Sequence, residues 1–203
     1  MKEMLKNAVI LFAITLVAGL LLGFVYENTK DVIAKQEADA KVAAYKEVFA
    51  TASDFELVTD TAMDAARNKF DANGFEADSI DEVMKAVGAN GEDLGYAFTI
   101  TTSEGYGGDI TFTMGVSKDG TVNGISILSI SETAGLGMEA DKVLKPQFSN
   151  KNVESFVYTK TGATGDNEID AISGATITTN AVTNAINSGL YYFNEYLGGA
   201  VNE

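Results

Sequence analysis

From Ala8 to Tyr26 the chain carries no charged side chain, and only Thr15 and Tyr26 bear a polar group. Nothing else in the sequence constrains the fold so tightly. A helix rises about 1.5 Å per residue, so this run just covers a hydrocarbon core roughly 30 Å thick. A helix without a polar face has no stable place on a small water-soluble domain, which leaves a membrane helix or a signal peptide. Lys2 and Lys6 form the basic start that either would have. No small-x-small cleavage site follows, because Leu20 to Tyr26 reads Leu-Leu-Leu-Gly-Phe-Val-Tyr. The expectation is therefore an uncleaved anchor over residues 1–27, touching lipid through Ala8–Tyr26. Lys2 and Lys6 before the run nearly balance Lys30 and Lys35 after it, so the positive-inside rule leaves the orientation open.

Composition narrows the chemistry. A formal net charge of −15 opposes binding to nucleic acid, whose phosphates it would repel, and opposes docking on anionic lipid through a charged face. The chain has no cysteine and no histidine. That removes disulfides, thiolate-held iron–sulfur or zinc centres and a thioether lipid anchor. It also removes histidine-ligated haem, a Ser-His triad and a neutral-pH proton shuttle. Redox work by this chain would need an organic cofactor. Neither a metal site nor a catalytic residue is expected.

Glu27 to Ala50 is rich in Ala, Lys and Glu and free of Gly and Pro, so it reads as a helix continuing from the anchor. Val42, Tyr45 and Phe49 form a narrow apolar stripe along it. Asp60 to Asn73 reads as a second helix with Ala62, Met63, Ala66 and Phe70 on one face, ended by Asn73-Gly74. These helices make up a juxtamembrane segment over 28–80. Beyond it, over 81–203, the pattern changes to period two from Glu82 onward, the signature of strands. Tyr96, Phe98 and Ile100 alternate with small or polar neighbours, as do Ile110, Phe112, Met114 and Val116. Asp119-Gly120 supplies a hairpin turn to a strand carrying Ile125 and Ile127. Gly105-Tyr106-Gly107-Gly108 reads as a flexible turn. Lys142–Phe148 reads as a short amphipathic piece, and Ser155–Lys160 as a further strand. Ala181, Val182, Ala185, Ile186, Gly189, Leu190, Phe193 and Leu197 mark a helix beginning near Thr178, its apolar stripe packed on the sheet. Tyr191, Tyr192 and Tyr196 read as packing at its edge. The fold class is α+β: one membrane helix, then an antiparallel sheet packed by helices.

Asp170-Ala171-Ile172-Ser173-Gly174-Ala175-Thr176 enters that last helix as a turn of small residues. Ser173, Thr176, Thr178 and Thr179 are all candidate N-caps. The free N–H groups and the dipole of a helix start also favour an anion there. The run resembles the flavinylation motif of the FMN-binding domain family. That resemblance implies FMN joined covalently to Thr176 through a phosphoester, installed by a dedicated flavin transferase from FAD. Asp170 would belong to the sequence the transferase reads, and Ser173, Gly174 and Ala175 would let the phosphate lie near the backbone.

A second motif is Glu132-Thr133-Ala134-Gly135-Leu136-Gly137. With Ala140 it formally satisfies a dinucleotide fingerprint, but the preceding strands are joined by a hairpin and not by a βαβ crossover. It resembles the Glu-Thr-Pro-Gly-Leu-Gly segment of the G subunits of Rnf complexes and of the related C subunits of sodium-pumping NADH:quinone oxidoreductases. Ala134 stands in place of that proline, and Ser131 often has histidine as its counterpart. The resemblance implies that Glu132, Thr133, Gly135, Leu136 and Gly137 help to build the flavin pocket, and it gives the Gly105-Tyr106-Gly107-Gly108 turn, beside its plain turn reading, a packing role near the flavin as an alternative. It further implies an electron carrier of a membrane ferredoxin:NAD oxidoreductase that moves ions, with no substrate-turnover site of its own. Its partners would be the other membrane subunits, its N-terminus would be cytoplasmic and its C-terminal domain would lie on the outer face. Three alternatives stand beside this: a quinone-oxidoreductase C subunit, a stand-alone tethered flavoprotein, and a cofactor-free assembly module in which Thr176 is only a cap.

Overall fold

A computed structural model describes residues 1–59, 70 and 73–198. It divides into two compact units, Met1–Ala40 and Lys41–Glu203. Helix α1 spans Lys2–Val48. Every residue from Met1 to Asn28 is exposed, and the helix is long and apolar enough to cross a membrane. Leu11, Phe12, Leu20, Leu22 and Phe24 present their side chains outward with no protein to cover them. A continuous apolar surface of this size belongs in lipid.

The second unit is built on a five-stranded antiparallel meander in the order β1-β2-β3-β4-β5. The strands are β1 (Asp54–Leu57), β2 (Asp78–Val87), β3 (Asp93–Thr102), β4 (Ile110–Ser117) and β5 (Val122–Ser129). β2 starts at Asp78, four residues before the alternation becomes readable, and the short exposed edge strand β1 has no alternation to read. The Asp119-Gly120 hairpin joins β4 to β5 as expected, with Val116 opposite Val122 and Gly120 at φ +83°. After β5 come a 3₁₀ turn at Gly137–Glu139, helix α2 (Ala140–Val143) and a second 3₁₀ turn at Lys145–Phe148. Strands β6 (Val157–Thr159) and β7 (Glu168–Asp170) pair with each other in parallel, so the second sheet departs from the antiparallel expectation. The long helix α3 covers Thr176–Tyr196. The helix expected over 60–73 falls outside the described residues apart from Phe70 and Asn73.

Alternation along the strands gives the sheet two apolar faces. On one, Phe98, Ile100, Phe112 and Met114 are fully buried with Ile186, Leu190, Tyr192 and Phe193 of α3. Tyr192 packs edge-on to Phe98 and Tyr191 to Phe70, so these tyrosines serve packing. Each fully buried Phe or Ile contributes roughly 1.5–3 kcal/mol. On the other face, Ala86 and Ala97 meet Tyr45, Val48 and Phe49 from the end of α1 and just beyond it. Polar bonds fix this end of the helix. Tyr45 Oη lies 2.9 Å from Glu82 Oε2, to which it donates, and 2.8 Å from Thr99 Oγ1. Lys41 Nζ reaches the same Glu82 oxygen at 2.9 Å. Asn123 Nδ2 donates to the C-terminal carbonyl of Val48 at 3.0 Å. The apolar run Ala8–Tyr26 of the first unit is thus the lipid-facing part, while Ala44, Tyr45 and Val48 are buried in the sheet domain's own core.

Candidate flavin site

Three segments meet at one end of the meander and enclose a cleft of about 520 Å³, within the usual size range of small-molecule sites. Tyr106, in the loop between β3 and β4, supplies one wall. Glu132, Thr133, Leu136 and Gly137, after β5, supply a second. Gly174, Ala175, Thr176, Ile177 and Thr178, at the start of α3, supply the third. Two sequence motifs that lie some forty residues apart are brought together here. Ser173, Gly135 and Asp170 are not among the lining residues.

The start of α3 differs from the sequence expectation. The helix begins at Thr176, two residues ahead of Thr178, and the N-cap residue is Ala175 (φ −129°, ψ 51°). Ala175 has no side chain able to cap, and no side-chain cap hydrogen bond is made. None of Ser173, Thr176, Thr178 and Thr179 is the N-cap. Thr179 bonds elsewhere, since Ile172 N–H donates to its Oγ1 at 3.1 Å and that hydroxyl donates to Ala175 O at 3.0 Å. The buried Thr179 therefore shapes the turn from one helical turn inside. The opening N–H groups of a helix have no intrahelical acceptor. Here they start at half-buried Thr176, on the wall of the cleft, where the dipole favours an anion.

Two glycines allow the walls to close. Gly174 has φ +76°, a conformation that side chains disfavour, and a Cβ there would stand 3.0 Å from Leu136 Cδ2. A Cβ on Gly137 would stand 2.6 Å from Thr178 Oγ1 and 2.7 Å from Glu132 Cβ. Glu132 in turn joins the second wall to the first, since its Oε1 accepts the Gly107 N–H at 3.3 Å. The Gly-Tyr turn thus bears on the cleft, and Tyr106 stands 71% exposed at its mouth.

Asp170 is organised by contacts that local sequence does not announce. Its N–H donates to Gln147 Oε1 at 2.7 Å, and Gln147 Nε2 donates back to Asp170 O at 3.1 Å. The Asp170 carboxylate accepts the Ala163 N–H at 2.6 Å. Glu168 accepts Thr164 N–H at 2.7 Å and Gly165 N–H at 3.1 Å, and these backbone donors hold its carboxyl below the usual range. A parallel pair normally needs a connection of a dozen or more residues. The loop from Lys160 to Asn167 is shorter, and these two carboxylates shape it from within. Gln147 has no place in either motif.

The donor set suits FMN: an uncapped helix start for the phosphate, a hydroxyl at Thr176, and Leu136, Ile177 and Tyr106 as apolar and aromatic surface for a ring.

Comparison with known proteins agrees. Residues 105–191 match the FMN-binding domain family, and residues 1–48 match the RnfG N-terminal region. The G subunit of the Na(+)-translocating ferredoxin:NAD(+) oxidoreductase complex of Acetobacterium woodii is 33% identical, over 95% of this chain and 92% of that protein. The G subunit of the ion-translocating oxidoreductase complex of Methanosarcina acetivorans is 31% identical, over 94% and 95%. The crystal structure of Shewanella oneidensis NqrC shares the fold, with a TM-score of 0.50 and 17% identity over 74% of this chain and 84% of that one. The long apolar helix and these relatives identify a membrane protein. The chain belongs to the family of G subunits of ion-translocating Rnf complexes, electron-transport proteins with an FMN-binding domain.

Proposed function

We propose that this chain carries electrons between neighbouring subunits of an Rnf complex through FMN held covalently on Thr176, in a machine coupled to ion transport. The observation that carries the reading is the start of α3: Thr176 is the first helical residue, it lines the cleft, and Ala175 leaves the helix end without a side-chain cap. A cofactor-free module would need Thr176 for capping, and Ala175 stands in the cap position. Attachment forms a bond from Thr176 Oγ to the FMN phosphorus and breaks the pyrophosphate of FAD. AMP leaves, and the hydroxyl proton goes to solvent. The helix N-terminus would hold the phosphate, while Leu136, Ile177 and Tyr106 would orient the ring. The bound flavin supplies the reversible uptake of electrons. The protein contributes orientation and, through α1, confinement near its partners, which raises their effective concentration. Those partners are the other complex subunits and, during maturation, a flavin transferase. The N-terminus is cytoplasmic and the domain faces outward.

Intact mass of the full chain, made with and without a flavin transferase, tests the reading. The expected result is a transferase-dependent gain equal to FMN less one water, on the peptide containing Thr176, absent from Thr176→Val. An adduct retained by folded Thr176→Val, or none on the folded parent, would overturn it.

A further inference from the structure

A polar corner outside both motifs lies under the Tyr106 loop. Asp78 opens β2 and pairs across strands with Thr102, the last residue of β3. The Glu104 N–H donates to Thr102 Oγ1 at 3.3 Å. Its carboxylate turns to α3, where Oε2 accepts Asn184 Nδ2 at 2.9 Å and Asn180 Nδ2 at 3.4 Å. Thr176, Asn180, Asn184 and the fully buried Ser188 follow one another at four-residue spacing, so they share one face of α3. Glu104 therefore joins the base of the loop bearing Tyr106 to the helix bearing Thr176.

Asp78 lies deeper. It is 8% exposed, and its Oδ1 has no hydrogen-bond partner among the described residues. A buried carboxylate oxygen without a donor is costly as an anion and tolerable as an acid. Burial pushes this carboxyl up to about 6; the negative charge of Glu104 adds to the rise, and the Thr102 and Ser188 hydroxyls oppose it. Among the described residues, Glu104 is the charged group acting on Asp78. When Asp78 ionises, two like charges face each other. Asp78 is fixed in a strand, so Glu104, in a loop, is the one that yields.

We infer that Glu104 is a positioning residue of the cleft, locking the Tyr106 wall to the Thr176 wall, and that the Asp78 carboxyl beneath it makes this lock proton-sensitive. The inference rests on the flavin reading of Thr176.

The test uses the full chain in detergent, matured with the transferase, with its adduct verified by mass. Polarisation of the flavin emission is then followed with pH. The parent should show a step at about 6, tighter on the acid side. Asp78→Asn, neutral and of the same shape, should lose the step and hold the acid-side value throughout. Glu104→Gln, which keeps an acceptor oxygen for the two asparagines but has no charge for Asp78 to repel, should lose the step and hold the acid-side value, whereas Asn184→Ala, which removes the shorter bond, should lower the acid-side polarisation toward the neutral-side value. A step surviving in Asp78→Asn overturns the inference. So does a Glu104→Gln profile equal to that of the parent, even if its melting temperature falls. Absence of any adduct overturns the flavin reading and this one together, and the mass spectrum distinguishes that case.

Discussion

Gln147 and Asp170 are paired as two neighbouring strands would pair, with Asp170 N–H donating to the Gln147 side chain and that side chain donating to Asp170 O. The same amide also donates to Val143 O at 2.6 Å. The segment that follows the first glycine motif thereby sets the height at which the second motif starts. Gln147→Leu should lose about 1–3 kcal/mol of stability, from hydrogen bonds worth about 1 kcal/mol each. It should also slow flavin attachment, because the turn leading to Thr176 loses its outer brace. Denaturant unfolding and the rate of mass gain on adding transferase check the two effects separately.

Thr176→Val should be nearly silent in stability, within about 0.5 kcal/mol, because the hydroxyl caps nothing. A large loss on denaturant unfolding would mean that Thr176 has a structural role after all.

Gly137→Ala should destabilise by roughly 1–3 kcal/mol, since the added methyl meets Thr178 Oγ1 and the Glu132 side chain. The two walls would be forced apart, so flavin loading should fall as well. Adding Thr178→Ala should restore part of the stability, and thermal melting of the single and double variants measures the recovery.

Asp78 makes a signed contribution to stability. Its folded value of about 6 stands above its ordinary 3.8, so the folded state binds more protons than the unfolded one between those values. Stability falls as pH rises through that window and is flat above it. The full effect is about 3 kcal/mol. Asp78→Asn should remove this slope, and unfolding free energies measured at pH values on both sides of 6 decide it.

Local pattern carried much of the fold. The uncharged run and the Ala, Lys and Glu that follow it specify α1, Asp119-Gly120 specifies a hairpin, and the apolar rhythm from Ala181 specifies α3. What escaped depends on pairings and side-chain contacts that no periodicity marks. β1 is an exposed edge strand defined by its pairing with β2, and β6 finds β7 through a loop shaped by Glu168 and Asp170. The N-cap of α3 escaped because an alanine there leaves no mark, while the hydroxyls on either side suggest caps that do not form. At the site, the two motifs pointed to two of the three walls, and the Gly-Tyr turn that supplies the third read first as a plain turn, with packing near a flavin as the alternative. Gln147 and Glu104 are invisible in sequence because each acts on a segment it meets only after folding, and the shaping role of Thr179, though local, is hidden among neighbouring hydroxyls that read alike.

The last turns of α1 bear on how this protein can be handled in water. Tyr45, Val48 and Phe49 are each 5% exposed or less, and Glu82 depends on Lys41 and Tyr45 for partners. A truncation that removes the lipid-facing helix must therefore cut ahead of Lys41. Cutting at the end of α1 instead would strip the second face of the sheet, leaving Ala86 and Ala97 open to solvent and to self-association. The sequence alone places the natural scissors mark just after Tyr26; the packing allows it to move inward, but no further than the residue before Lys41.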